Sequence, residues 1–121
     1  MEYKTVWHVE KETALISRAA WCDGFGSKLR GFTFRRRLEV GEGLVLVEKK
    51  ESRLNTAIHM LFVFFALGVI WVDTEGTIVG TTLAKPWRLS YSPPQPARYV
   101  IEGHPHILEQ VQIGEHIEFR T

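Results

Sequence analysis

Residues 57–72 read AIHMLFVFFALGVIWV, sixteen positions without a formal charge, and the way they are hidden from water decides the fold. A bilayer-spanning helix needs about 20 apolar residues to cross a core of roughly 30 Å, and this run as a helix would reach only about 24 Å. His59 also interrupts it. The run is rich in Phe, Val, Ile and Trp, contains Gly68, and leads into Asp73-Thr74-Glu75-Gly76. That composition and that ending predict two buried strands broken near Ala66 to Gly68 rather than a helix. The loop between VIWV and TIVG has the length and terminal glycine of a hairpin connection, with Gly76 free to take a left-handed conformation.

Working outward, residues Tyr3 to Val9 read as an opening strand, Glu10-Lys11-Glu12 as its turn and Ala14 to Ala19 as the return strand. Asp23-Gly24-Phe25-Gly26-Ser27 is loop chemistry, and Ser27 can cap a short helix in which Leu29, Phe32 and Arg36 share a face and which ends before Glu39. A turn at Gly41-Glu42-Gly43 precedes a short strand, Leu44 to Glu48, and a charged connection, Lys49 to Arg53. After Leu83 the chain changes character, because the stretch from Lys85 to Pro96 holds four of the five prolines and no period, as a long loop would. Arg98 to Glu102 returns to strand, Pro105 opens a short helix to about Val111, and Gly114-Glu115 turns into a last strand, His116 to Arg120. The tally predicts one α+β, mostly β domain over 1–121: a small antiparallel barrel, closed or nearly so, with two short helices, and with an α+β sandwich as the rival.

Composition bounds the function classes. With 121 residues, 45% hydrophobic and 24% charged, the chain can bury a core without metal or disulfide staples. Fifteen basic against fourteen acidic residues leave a net charge of +1, so no overall field favours nucleic acid or an anionic membrane. The single cysteine, Cys22, closes no intramolecular disulfide, and the charged N-terminus has no signal-peptide core. A reduced, cytoplasmic setting is expected; an exported form would have lost its signal.

Several segments in order resemble one family. RGFTFRRRLEVGEGL at 30–44, IHMLFVFFALGVIWVDTEGTIV at 58–79, KPWR at 85–88, ARYVIEG at 97–103 and IGEHIEF at 113–119 are similar to the successive motifs of the uncharacterised DUF192 (UPF0127) proteins. The resemblance runs from about Trp21 to the end and implies a compact, mostly β domain like a partly opened barrel. It implies no reaction. Where the family motif has Pro and Asp, this chain has Ala66 and Gly68, which removes one polar anchor.

Four constellations could carry chemistry. His59 sits in an otherwise apolar stretch with Asn55 and Thr56 before it and Asp73 after the next strand, so a polar pocket at one end of the hairpin is one reading. A core histidine satisfied by a carbonyl is the weightier one. His104-Pro105-His106, His116 and Cys22 invite a metal, but the spacing matches no ligand motif and neither metal nor cofactor is expected. Lys28, Arg30, Arg35, Arg36 and Arg37, interleaved with Phe32 and Phe34, form the one basic patch; a solvated helix face outweighs contact with phosphate or an acidic partner. Lys85, Trp87 and Arg88, with Tyr91 nearby, make an aromatic and cationic loop suited to a flat or acidic ligand, or to a protein interface. No GxSxG or complete glycine-rich phosphate loop is present, and Cys22 has no neighbouring cation to activate it.

The expected function is therefore non-enzymatic binding of a small ligand or protein partner through Asn55, His59, Asp73, Lys85, Trp87 and Arg88. The alternative is a hydrolase-like or metal-assisted enzyme with His59 as general base oriented by Asp73.

Overall fold

The computed structural model describes residues 2–24, 41–60, 63–88 and 90–121. Their strands are β1 (Tyr3–His8), β2 (Thr13–Cys22), β3 (Glu42–Ser52), β4 (Leu67–Val72), β5 (Ile78–Ala84), β6 (Ala97–Gly103) and β7 (Ile117–Arg120), with one short 3-10 helix, Pro105–Gln110, before the last. They form a single seven-stranded sheet in the order β5-β4-β6-β3-β2-β1-β7, strongly curled into a half-barrel.

The expectation of a purely antiparallel barrel is corrected by one pair. β2 and β3 run parallel, Ala20 opposite Leu44 and Cys22 opposite Leu46, while every other pairing is antiparallel. A parallel pair needs a crossover of about a dozen residues or more, and the chain from 23 to 41 supplies it. The helix expected from Ser27 lies outside the described residues, so the described part holds one helix rather than two. β3 also runs on through the charged segment 49–52 that looked like a connection.

The central apolar run is corrected as well. Only its second half is a strand, β4, and all six of its residues are buried. Gly68 does not break it: Gly68 pairs with Gly103 on one side and Leu83 on the other. A Cβ at Gly68 would lie 2.9 Å from Ile107 Cγ1 and 3.1 Å from the His104 carbonyl, so glycine here lets the 3-10 helix pack against the sheet. Residues 58–60 pair outside the sheet instead of joining it. Ile58 pairs with Tyr91, and the Met60 amide donates to the Arg88 carbonyl at 2.9 Å, so this segment forms a ribbon with the proline-rich loop.

Side-chain alternation then builds two apolar layers. Every strand sends residues to the inner one, including Val6, Ile16, Val45, Ile70, Ile78, Ile101 and Ile117, and Ile107 of the 3-10 helix plugs the curl. On the outer face of β2 to β6, Leu44, Val69, Trp71 and Val100 are covered by Ile58, Met60 and Val63. Trp71 fastens that cover, its buried indole N–H donating to the Thr56 carbonyl at 2.8 Å. Burial of such a side chain contributes on the order of 2–3 kcal/mol.

The two edges of the sheet meet at one corner. Thr77 and His116 form an isolated bridge, the Ile78 amide donates to the Glu115 carbonyl at 2.8 Å, and the Ile117 amide donates to the Gly76 carbonyl at 2.8 Å. Gly76 makes this approach feasible. It has φ +89°, and a Cβ there would stand 2.6 Å from the Ile117 carbonyl oxygen. Gly114 has φ +97° but nothing within 4 Å of a Cβ. Gly76→Ala is therefore expected to lower the unfolding free energy by roughly 2 kcal/mol or more, and Gly114→Ala by about 1 kcal/mol, in urea titrations. Equal losses at the two positions would remove the steric argument.

Candidate functional site

The outer cover and the loop beneath it bring several of the sequence candidates together. Ile58 and Met60 point into the core while His59, between them, is exposed. The expectation of a buried His59 is thereby corrected: the segment alternates like a strand, with its odd position outward. Among the described residues His59 has no hydrogen-bond or ion-pair partner. Lys85 and Arg88 are likewise exposed and form no ion pair among the described residues.

Trp87 is the unusual member of this group. It is 49% exposed and has φ +67°, a left-handed conformation that a residue with a Cβ adopts at a cost of roughly 1–2 kcal/mol. Its amide donates to the Met60 carbonyl at 2.8 Å, and its ring meets Phe64 edge-on with centroids 5.6 Å apart. Phe64 is itself 44% exposed. The Tyr91 hydroxyl accepts from the Lys85 amide at 2.9 Å and fixes the start of the turn. The result is a surface with two aromatic rings at its centre and the cations Lys85 and Arg88 in the same loop.

Asp73 serves a different neighbourhood. Its Oδ1 accepts from the Thr77 amide at 2.9 Å and its carbonyl from the Gly76 amide at 3.1 Å, the pattern of a hairpin turn held by its own side chain. Glu51, Asp73 and Glu75 each place a carboxylate oxygen within 4.8 Å of the others. Glu51 already accepts from the Thr74 amide, which holds its carboxyl below the usual range. Two of the three carboxylates thus cap the loop. Asn55 is exposed, with its amide donating to Ser52 Oγ at 3.0 Å. Arg30, Arg35, Arg36 and Arg37 lie outside the described residues.

His104 and His106 face each other at the start of the 3-10 helix. The His106 amide donates to His104 Nδ1 at 3.2 Å, and the two Nδ1 atoms stand 2.8 Å apart. His104 thus caps the helix, consistent with a structural role for this pair.

Two ionisable groups had no strong signal in the sequence. His8 is 1% exposed; its Nδ1 accepts from the Lys11 amide at 3.0 Å, leaving Nε2 to donate to Glu115 Oε1 at 3.0 Å. That bond holds the Glu115 carboxyl below its ordinary range. Glu10 is hydrogen-bonded by the His116 side chain and amide, which hold its carboxyl down at about 2. The second group is Glu102 on β6, 6% exposed on the outer face between Leu44 and Val69. Burial pushes its carboxyl up to about 7. Burial raises the nearby Cys22 thiol too, with the Glu102 and Asp23 charges adding to the effect. Only the position of β6, paired on both sides and covered on both faces, reveals that Glu102 is buried.

The DUF192 family model, described as Uncharacterized ACR, matches residues 7–119. The chain belongs to the DUF192 family. It is 32% identical over 114 residues to a UPF0127 protein of Pyrococcus furiosus, covering 93% of this chain and 95% of that one. A UPF0127 protein of Pyrococcus abyssi is 35% identical over 101 residues, covering 82% and 83%. Among solved structures, a protein of Sinorhizobium meliloti 1021 described as a proposed transcription regulator superposes with a TM-score of 0.81 at 15% identity, covering 98% of this chain and 94% of that chain. A protein of unknown function from Novosphingobium aromaticivorans gives 0.72 at 17% identity, covering 96% and 83%. At such identities the likeness shows the fold alone. Gly68 lies under the 3-10 helix, with no room for a side chain. No helix of the described residues is long and apolar enough to cross a membrane.

Glu102 gives the folded domain a pH signature. Its folded-state pKa of about 7 lies above the ordinary 4.5, so its contribution to stability is fully present below about 4.5 and is lost as pH rises through about 7. Glu102→Gln removes that loss. In urea titrations the variant is expected to exceed the wild type by on the order of 3 kcal/mol at pH above about 8, with the gap closing towards pH about 4. A gap independent of pH would contradict the burial of the acid.

Proposed function

We propose that this DUF192 domain acts by binding, and that the surface formed by Phe64 and Trp87, with His59, Lys85 and Arg88 around it, receives an acidic segment of a protein partner that carries an apolar anchor. The observation that carries this reading is Trp87: an aromatic side chain held at a left-handed φ, half exposed, against a second exposed ring. Strained conformations persist where the surrounding structure over-determines them, and they cluster at ligand clamps. Burial of the pair drives no folding while it stays exposed, but it would contribute once a partner covers it. The choice of an acidic partner rests on Lys85 and Arg88, exposed and without carboxylate partners among the described residues. A polyanion recognised along its whole backbone fits less well with a net charge of +1.

The enzymatic alternative draws less support. A general base at His59 would need an orienting acid, and the Asp73 carboxylate is engaged by Thr77 in its own turn.

The test is site-specific photo-crosslinking from position 64 in the native host, with the partner identified and its affinity then measured on purified components. Trp87→Ala is expected to weaken that complex by about 30-fold or more, and Lys85→Glu with Arg88→Glu to weaken it further at low salt, with melting temperatures little changed. Crosslinks confined to nucleic acid, or an affinity unaffected by Trp87→Ala, would refute the reading.

A further inference from the structure

We propose that the protein partner received by the Phe64 and Trp87 surface is a second copy of this chain, joined edge to edge through β5 in a two-fold dimer. This rests on the reading of that surface as a binding site and names its partner. β5 is an edge strand, with β4 as its one strand neighbour. Among the described residues only its first position is engaged on the far side by backbone bonds, the Ile78 amide and carbonyl meeting Glu115 and Gly114. From Gly80 to Ala84 the pairing with β4 is regular, and Thr81 and Leu83 are exposed. Folded chains guard a free edge with charge, proline or a bulge. The other edge strand, β7, carries Glu118 and Arg120. β5 carries neither charge nor proline, and its one irregularity lies at the seam end, beside Val72.

An unguarded edge accepts a strand, and the two ends of β5 select which one. Past its C-terminal end stand Lys85 and Arg88 with the exposed rings of Phe64 and Trp87. Before its N-terminal end Glu51, Asp73 and Glu75 gather carboxylate oxygens within 4.8 Å of one another. Beside that acidic corner the loop 112–117 bonds to Gly76 and Ile78 and leaves Ile113 exposed. One edge thus has a basic, aromatic end and an acidic, aliphatic end. Antiparallel pairing of β5 with itself lays each end against its opposite, twice over by symmetry. A parallel pairing would set like charges together.

The register follows from the free stretch. With the two-fold axis at Thr82, Gly80 falls opposite Ala84 of the second copy and Thr81 opposite Leu83, which uses the regular part of the strand and stops short of the seam. The chain beyond Ala84 then arrives at the start of the second copy's β5, where its acidic turn and Ile113 lie. The acidic segment received by Lys85 and Arg88 is therefore the Asp73 to Gly76 turn of the second copy, and the apolar anchor is its Ile113.

The experiment is sedimentation equilibrium of the full chain, with concentration-dependent hydrogen exchange on the same samples. We expect a monomer–dimer equilibrium with a Kd of about 100 µM or tighter, weakened at least about tenfold by Trp87→Ala and weakened also by salt. Lys85→Glu with Arg88→Glu puts like charges at both corners, and so does Glu51→Lys with Glu75→Lys. Each double variant is expected to be monomeric alone, and an equimolar mixture of the two to dimerise, because both corners of the mixed pair are complementary. Amides between Gly80 and Ala84 should exchange more slowly in the dimer, and this readout stands alone if the Glu51 and Glu75 variant misfolds. A chain still monomeric at about 500 µM would overturn the proposal. If crosslinks from position 64 meanwhile reach a different protein, the reading of the surface stands and only the second copy falls. A dimer indifferent to Trp87→Ala and to the charge reversals, or one that protects β7 instead of β5, would also overturn it.

Discussion

The structure depends on the corner at which the two edges of its sheet are tied together. A seven-stranded sheet that curls without closing leaves two edge strands, β5 and β7, each with one strand neighbour. The loop 112–117 joins them: Gly114 and Glu115 pair with Ile78, and Ile117 with Gly76. That loop is itself held by ionisable side chains from the other end of the chain. His8 reaches Glu115, Glu10 takes both the side chain and the amide of His116, and the Lys11 ammonium reaches the Gln110 carbonyl at 2.6 Å. The first hairpin therefore clamps the last turn, and the last turn clamps the central hairpin. Fixing the curl in this way is what lets Ile107 plug the inner layer and leaves the outer face of β2 to β6 to be covered by a separate ribbon.

That division assigns functions to faces. Inside the curl the fully buried core residues are aliphatic, contributed by every strand, with Trp21, Tyr99 and Phe119 packed against them. The cover of the outer layer is a segment whose backbone bonds run to the proline-rich loop rather than to the sheet. On the exposed side of this ribbon lie His59, Phe64 and Trp87; on its buried side the sheet carries Glu102 and Cys22. A DUF192 domain built this way presents chemistry on a cover, while its curled sheet acts as the frame.

Much of the frame was legible in the sequence. Alternation and turn chemistry locate the strands of the first hairpin, the Asp73 to Gly76 turn and the last strand, because each depends on neighbours within a few residues. The reading failed where distant contacts decide. Gly68 looks like a break until the 3-10 helix is seen to lie on it, and the parallel pairing of β2 with β3 depends on a crossover that no local pattern encodes. His59 was misplaced because the whole run around it is apolar. The shorter alternation of Ile58, His59 and Met60 held the right answer. For the candidate site, Trp87 could be singled out from the sequence, whereas its left-handed backbone and its contact with Phe64 could not. Glu102 was invisible for a further reason: a glutamate in a strand reads as solvent-facing unless the strand is known to lie mid-sheet beneath a cover.

The half-barrel rests on the seam, and backbone hydrogen exchange tests this most directly. Glu115 is held by His8 and receives the Gln112 amide at 2.7 Å, so Glu115→Ala removes the His8 arm of the clamp without touching either edge strand's own pairing. The amides of Ile78, Gly114 and Ile117 should then exchange about tenfold faster, beyond any change at the amides of β6, which is paired on both sides. Uniform acceleration across β6 and the seam, or seam amides that keep their protection, would contradict the claim that this corner holds the half-barrel in its curled form.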